Sequence, residues 1–84
     1  MWHVYVLRSQ SLDRFYIGFS EDLDKRFVEH MRGATQTTSR AEDWVLVYYE
    51  ACLDKRDAVA RERQLKTGFG RGYINRRLEN YMRG

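Results

Sequence analysis

The 84-residue sequence has no proline, a single cysteine and no apolar run as long as a membrane-crossing helix requires. A lone thiol, Cys52, cannot close an internal disulfide, and it has no zinc-ligand spacing around it. It therefore reads as a core residue in a reducing cytoplasm. The first residues, Met1-Trp2-His3-Val4-Tyr5, lack the basic-then-apolar pattern of a leader, so no secretion signal is expected. Repeats, linkers and low-complexity tracts are missing too. The length allows one domain, residues 1–84, with a thin core. What the chain does have is aromatic residues: six Tyr, four Phe and two Trp, which supply burial a short chain otherwise lacks.

The net charge of +3 is modest, but it is unevenly placed. Residues 1–50 carry six Lys/Arg and eight Asp/Glu, whereas residues 51–84 carry nine and four. A basic C-terminal half suits a polyanionic partner, although a solvated helical surface would have the same composition.

Periodicity places the elements. Trp2–Arg8 and Phe15–Phe19 are short, aromatic and β-branched, and the polar residues between them predict a hairpin. Ser20, followed by Glu21 and Asp22, suits the start of a helix in which Leu23, Phe27 and Met31 form the buried stripe and Gly33 ends the turn. Residues 33–43 are polar and read as a loop. The apolar run Trp44–Tyr49 suggests a central strand. Asp54 caps a second helix reaching about Lys66, and Gly68 and Gly70 interrupt the pattern. A last helix runs from Arg71 to Tyr81, with Tyr73, Ile74, Leu78 and Tyr81 inward. The expected fold is α+β, a small three-stranded antiparallel sheet flanked by helices in the order β-β-α-β-α-α.

Several residues invite a chemical reading beside an ordinary one. Ala58, Glu62 and Leu65 share one helix face, which sets a carboxylate between two apolar residues. Such a group needs a cation or a metal, and a neighbouring Arg would serve. Arg26 and His30, four apart, border the first helix's stripe. Tyr5 and Tyr16 are good strand residues in their own right. Gly18, in a strand, marks a close approach by a backbone or ligand.

Together these residues form a set. Tyr5 stands eleven residues before Tyr16-Ile17-Gly18, Arg26 follows Tyr16 by ten, and Glu62 lies on a later helix within Arg61-Glu62-Arg63-Gln64-Leu65-Lys66. The set resembles the GIY-YIG nuclease superfamily, in particular its small standalone prokaryotic members, from about Trp2 to Leu78. His3-Val4-Tyr5 departs from the first motif's Gly-Ile-Tyr but keeps its tyrosine. The resemblance implies a metal-dependent endonuclease that hydrolyses DNA phosphodiester bonds, single-stranded or structured, in repair or processing. The alternative is a nucleic-acid-binding module that keeps the fold without cleavage.

The resemblance also implies roles. Glu62 would hold one Mg²⁺ or Mn²⁺, with water and phosphate completing the shell. Arg26 would neutralise transition-state charge. Tyr16 would activate water, Tyr5 would hydrogen-bond Tyr16 or the water, and His30 would assist proton transfer or touch phosphate. Either tyrosine could be the base. Products would carry 5′-phosphate and 3′-hydroxyl ends. Gly18, Thr38, Arg40, Lys66, Arg71, Arg76 and Arg77 are expected along the nucleic acid. Asn75 matches the place of a helpful Asn in some members. The partner is nucleic acid, DNA before RNA, with no membrane and no obligatory protein partner.

Overall fold

Two aromatic, β-branched segments make the first hairpin of the structure, a computed structural model that describes residues 1–32 and 41–84. β1 (Trp2–Ser9) and β2 (Arg14–Ser20) pair antiparallel from His3↔Ser20 to Ser9↔Arg14. The connection closes on Asp13 at φ 52°, a left-handed conformation that a short acidic side chain tolerates. The Asp43 carboxylate ties this turn down. It accepts from the Ser9 hydroxyl at 2.6 Å, the Ser11 amide at 2.8 Å and the Ser11 hydroxyl at 2.9 Å. These bonds to the ionised form, Ser9's first, lower Asp43 to about 2.

β3 (Trp44–Cys52) pairs with the other side of β1, giving the sheet order β2-β1-β3. The central strand is therefore β1, and the apolar run that suggested a centre lies at an edge. Val4, Tyr5, Val6 and Leu7 are buried in succession, as a strand covered on both faces requires. In β3, by contrast, Val45 and Tyr49 are about half exposed, at 49% and 56%. Val6 pairs with Tyr48 but Leu7 with Leu46, a register shift that gives β3 an extra residue and marks a bulge.

Alternation along β1 divides the core. Val4 and Val6 pack with Ala58, Leu65, Ile74 and Leu78 on one face. Tyr5 and Leu7 pack with Trp44, Leu23 and Phe27 on the other. α1 (Leu23–Met31) thus covers one face, while α2 (Lys55–Leu65) and α3 (Gly68–Arg77) cover the opposite one.

The helix ends depart from the pattern in informative ways. The cap of α1 is Asp22, which accepts from the Lys25 amide at 3.0 Å. Ser20 instead braces the preceding turn through the Asp22 amide at 3.1 Å. His30 takes the buried position expected of Met31, which is 44% exposed, because a hydrogen bond inside the core satisfies the imidazole. Gly33 lies outside the described residues. α2 starts after Asp54, as its sequence indicates.

Gly68 and Gly70 do not interrupt a helix; they open α3, which Thr67 caps. A β-carbon on Gly70 would fall on the backbone of Leu65, so the elbow between α2 and α3 closes only around a glycine. Helical structure breaks at Leu78 and resumes as the short α4 (Glu79–Arg83). That break turns Tyr81 outward, to 50% exposure. Among the described residues no helix is long and apolar enough to cross a membrane.

Candidate active site

The α1-facing side of the hairpin gathers the hydroxyls. Tyr5 pairs with Gly18 across the strands, and Leu7 pairs with Tyr16, so both tyrosines project to the same face. Their rings stack with centroids 6.3 Å apart. A β-carbon on Gly18 would stand 2.6 Å from the Tyr5 hydroxyl oxygen, 2.8 Å from Cζ and 3.2 Å from Cε1 of Tyr16. The close approach at Gly18 is made by a side chain of the same protein. Tyr5 can lie flat across β2 only because position 18 has no side chain.

α1 brings in the next two groups one turn apart. The His30 ring meets Tyr16 edge-on at 4.6 Å and Tyr5 at 5.6 Å. Tyr5 Oη lies 2.7 Å from His30 Nε2, and Arg26 Nε donates to the same oxygen at 3.4 Å. The phenol can donate its proton to Nε2 while its oxygen accepts from Arg26, an arrangement open to the neutral imidazole protonated on Nδ1.

The electrostatics agree. Burial, with the Arg26 charge adding to it, lowers His30 to about 4, so the imidazole is neutral at pH 7. Burial raises Tyr5 to about 12 against the opposing Arg26 hydrogen bond, so this phenol keeps its proton. Arg26 is held cationic by Glu29, whose carboxylate it meets at 2.8 Å, and then by Tyr5, with Tyr16 contributing as well.

Glu62 comes from α2, near enough that its charge adds to the cost of ionising Tyr5. Its side chain is only 14% exposed, and Lys66, one turn on, pairs with it at 2.9 Å. The cation that sequence reasoning sought for Glu62 is thus a lysine. The neighbouring Arg61 turns away to clasp Glu50 with two hydrogen bonds of 2.9 Å.

The basic residues of the C-terminal half do not form one patch. Lys66 and Arg71 line a cleft of about 720 Å³ together with Arg8, Arg14, Thr67 and Asn75. Tyr16 lines it too, and of the catalytic candidates it alone does so. Arg77 instead donates to the Tyr73 hydroxyl at 3.0 Å, and Tyr73 meets Tyr48 of β3 at 3.3 Å. Arg76 is exposed, outside this cleft. Thr38 and Arg40 lie outside the described residues.

Sequence reasoning missed Glu29 as the partner of Arg26, the hairpin arginines Arg8 and Arg14, and the Glu50–Arg61 pair. Only Glu29 had a local signal, its i,i+3 spacing from Arg26. The others depend on strands and helices meeting in space.

The sequence matches the GIY-YIG catalytic domain over residues 1–81. Two proteins of Pseudomonas aeruginosa strains, each described as a UPF0213 protein, are 38% identical to it over 66 residues, which cover 77% of this chain and 62% of each relative. A UPF0213 protein of Bacillus pumilus is 35% identical over 66 residues, 77% of this chain and 66% of its own length. The matched region thus spans less than two thirds of these relatives. No solved structure matches.

Proposed function

The chain belongs to the GIY-YIG catalytic domain family, a family of nucleases, and from that membership we propose that it is a metal-dependent endonuclease hydrolysing phosphodiester bonds in DNA. The observation that carries this reading is the meeting of Tyr5, Tyr16, Arg26 and His30 on one face, with the little-exposed carboxylate of Glu62 close by. A purely structural face has no need of so many polar groups in one place.

The donor set fits one hard divalent cation, Mg²⁺ or Mn²⁺, held by Glu62 with water and phosphate oxygens as the other ligands. Among the described residues no group of three or more His, Cys, Asp or Glu side chains is placed to build an all-protein cage. The ion would polarise a phosphate oxygen and stabilise the charge that gathers there. Lys66 would cede its place on Glu62 and turn to phosphate.

The two tyrosines divide the work by environment. Tyr5, 1% exposed and held protonated, positions Arg26 and His30. Tyr16, partly exposed and lining the cleft, would receive or relay the proton of the attacking water. Arg26 would meet the developing negative charge on phosphate. Products would carry 5′-phosphate and 3′-hydroxyl ends. The substrate would be single-stranded or structured DNA met in repair or processing, in the cytoplasm, with no protein partner required.

The test is cleavage of labelled single-stranded, duplex and branched DNA with Mg²⁺ or Mn²⁺. Wild-type protein should cut at least one of these substrates. Glu62→Gln should lower the rate at least about 10²-fold and abolish the thermal stabilisation produced by Mn²⁺. An unchanged rate in that variant would remove Glu62 from the metal site.

A further inference from the structure

The cleft beside Tyr16 has the composition of a nucleotide site. Its volume, about 720 Å³, falls in the range of pockets that take small molecules, so it has room for one or two nucleotides and none for a double helix. One wall is β2, an edge strand, at Arg14, Tyr16 and Ile17. The other is the α2–α3 elbow and the inner side of α3, at Lys66, Arg71 and Asn75. Arg8, Arg14, Lys66 and Arg71 give the lining four cations against one acid, Asp13, which Arg8 pairs with at 2.7 Å. Apolar surface from Ile17 and from Met82, which is 42% exposed, lies between the charged walls.

We propose that this cleft binds the unpaired DNA strand next to the bond being cut, with Arg14 and Arg71 on its phosphates and a base against Ile17 and Met82. The inference rests on the nuclease reading and names the site that takes the strand. The physical reason is the pairing of charge with apolar floor. A double helix offers phosphates to a protein but keeps its base faces stacked. Only an unpaired nucleotide offers both a phosphate and a bare ring face to one narrow cleft. Asn75 supplies an amide able to donate to and accept from a base edge. Tyr16 borders the cleft from the edge strand β2 while its ring lies on the α1 side, so a strand leaving the cleft around that edge passes the hydroxyl cluster.

The test is fluorescence anisotropy of full-length protein with a short labelled oligothymidylate and with a blunt duplex, in Ca²⁺ to suppress cleavage. The single strand should bind at least about tenfold tighter than the duplex. Arg14→Ala with Arg71→Ala should weaken it about tenfold or more and reduce the salt slope by about 1.4 units, as loss of two phosphate contacts to a single strand implies. Arg56→Ala, which removes a charge paired with Asp54 outside the cleft, should bind like wild type. Melting curves confirm that the variants fold, and Arg71→Lys should retain most of the affinity if Arg71 acts by charge. Equal binding of duplex and single strand, or wild-type affinity in the double variant, overturns the proposal. The two readings fail separately. Glu62-dependent cleavage with an indifferent cleft would sink only this inference. Arg71-dependent strand binding without any cleavage would sink only the nuclease.

Discussion

The Tyr5 hydroxyl sits between His30 Nε2, at 2.7 Å, and Arg26 Nε, at 3.4 Å, so a single oxygen couples a neutral imidazole to a guanidinium. That arrangement makes the charge state of His30 a property of the fold.

Stability should depend on pH through His30. Its unfolded value is near 6.5. Burial first, and then Arg26, lowers the folded value to about 4, with Glu29 opposing. The unfolded chain therefore binds more protons between these values. The stabilisation is fully present above about pH 6.5 and declines as pH falls towards 4, by on the order of 3 kcal/mol. Urea denaturation at pH 7 and pH 5 measures it. His30→Gln should show a much flatter profile over the same range, and a flat wild-type profile would contradict the buried neutral imidazole.

Gly18→Ala should damage both stability and activity. The new methyl would press on the Tyr5 hydroxyl and Cζ at 2.6 and 2.8 Å, and Tyr5, 1% exposed, has little room to retreat. Overpacking of this kind costs about 1–3 kcal/mol. Tyr5→Phe in the same chain removes the nearer atom and should recover part of the loss. An alanine variant within about 0.5 kcal/mol of wild type would show that Tyr5 moves aside easily.

The tyrosines should separate in a two-readout experiment. Tyr16→Phe is expected to lower cleavage about 10²-fold or more with little change in melting temperature. Tyr5→Phe removes the hydroxyl that joins His30 Nε2 to Arg26 and should cost about 1–3 kcal/mol of stability. The reverse pattern would exchange their roles.

Gly70→Ala tests the α2–α3 elbow. Its β-carbon would meet Leu65 backbone, which cannot rotate away as a side chain can. The loss should reach the upper part of about 1–3 kcal/mol. Gly68→Ala, with nothing near its β-position, should be close to neutral in the same denaturation assay.

Local sequence was enough wherever the deciding physics is local. Asp54 announces α2 because capping needs only the next few residues, and the hairpin follows from two aromatic runs and a polar turn. The edge position of β3 was not legible. Its apolar run fits a centre as well as an edge, and the choice depends on which strand pairs with which. Met31 and His30 are neighbours on one helix, and periodicity favours burying the methionine. The partner that reverses this, Tyr5, is twenty-five residues away.

The same division runs through the candidate site. By itself the sequence determined the residue types, their order and their spacing, and with these the family, the order of elements and the inward placement of Glu62. The tertiary structure decided what each residue meets. It gave the space beside Gly18 to Tyr5, the buried place to His30, Lys66 to Glu62, and the cleft to Arg14 and Arg71 while Arg77 went to Tyr73. Periodicity assigns a residue to a face, but hydrogen bonds, charge pairing and burial act between faces, and only the folded chain brings those faces together.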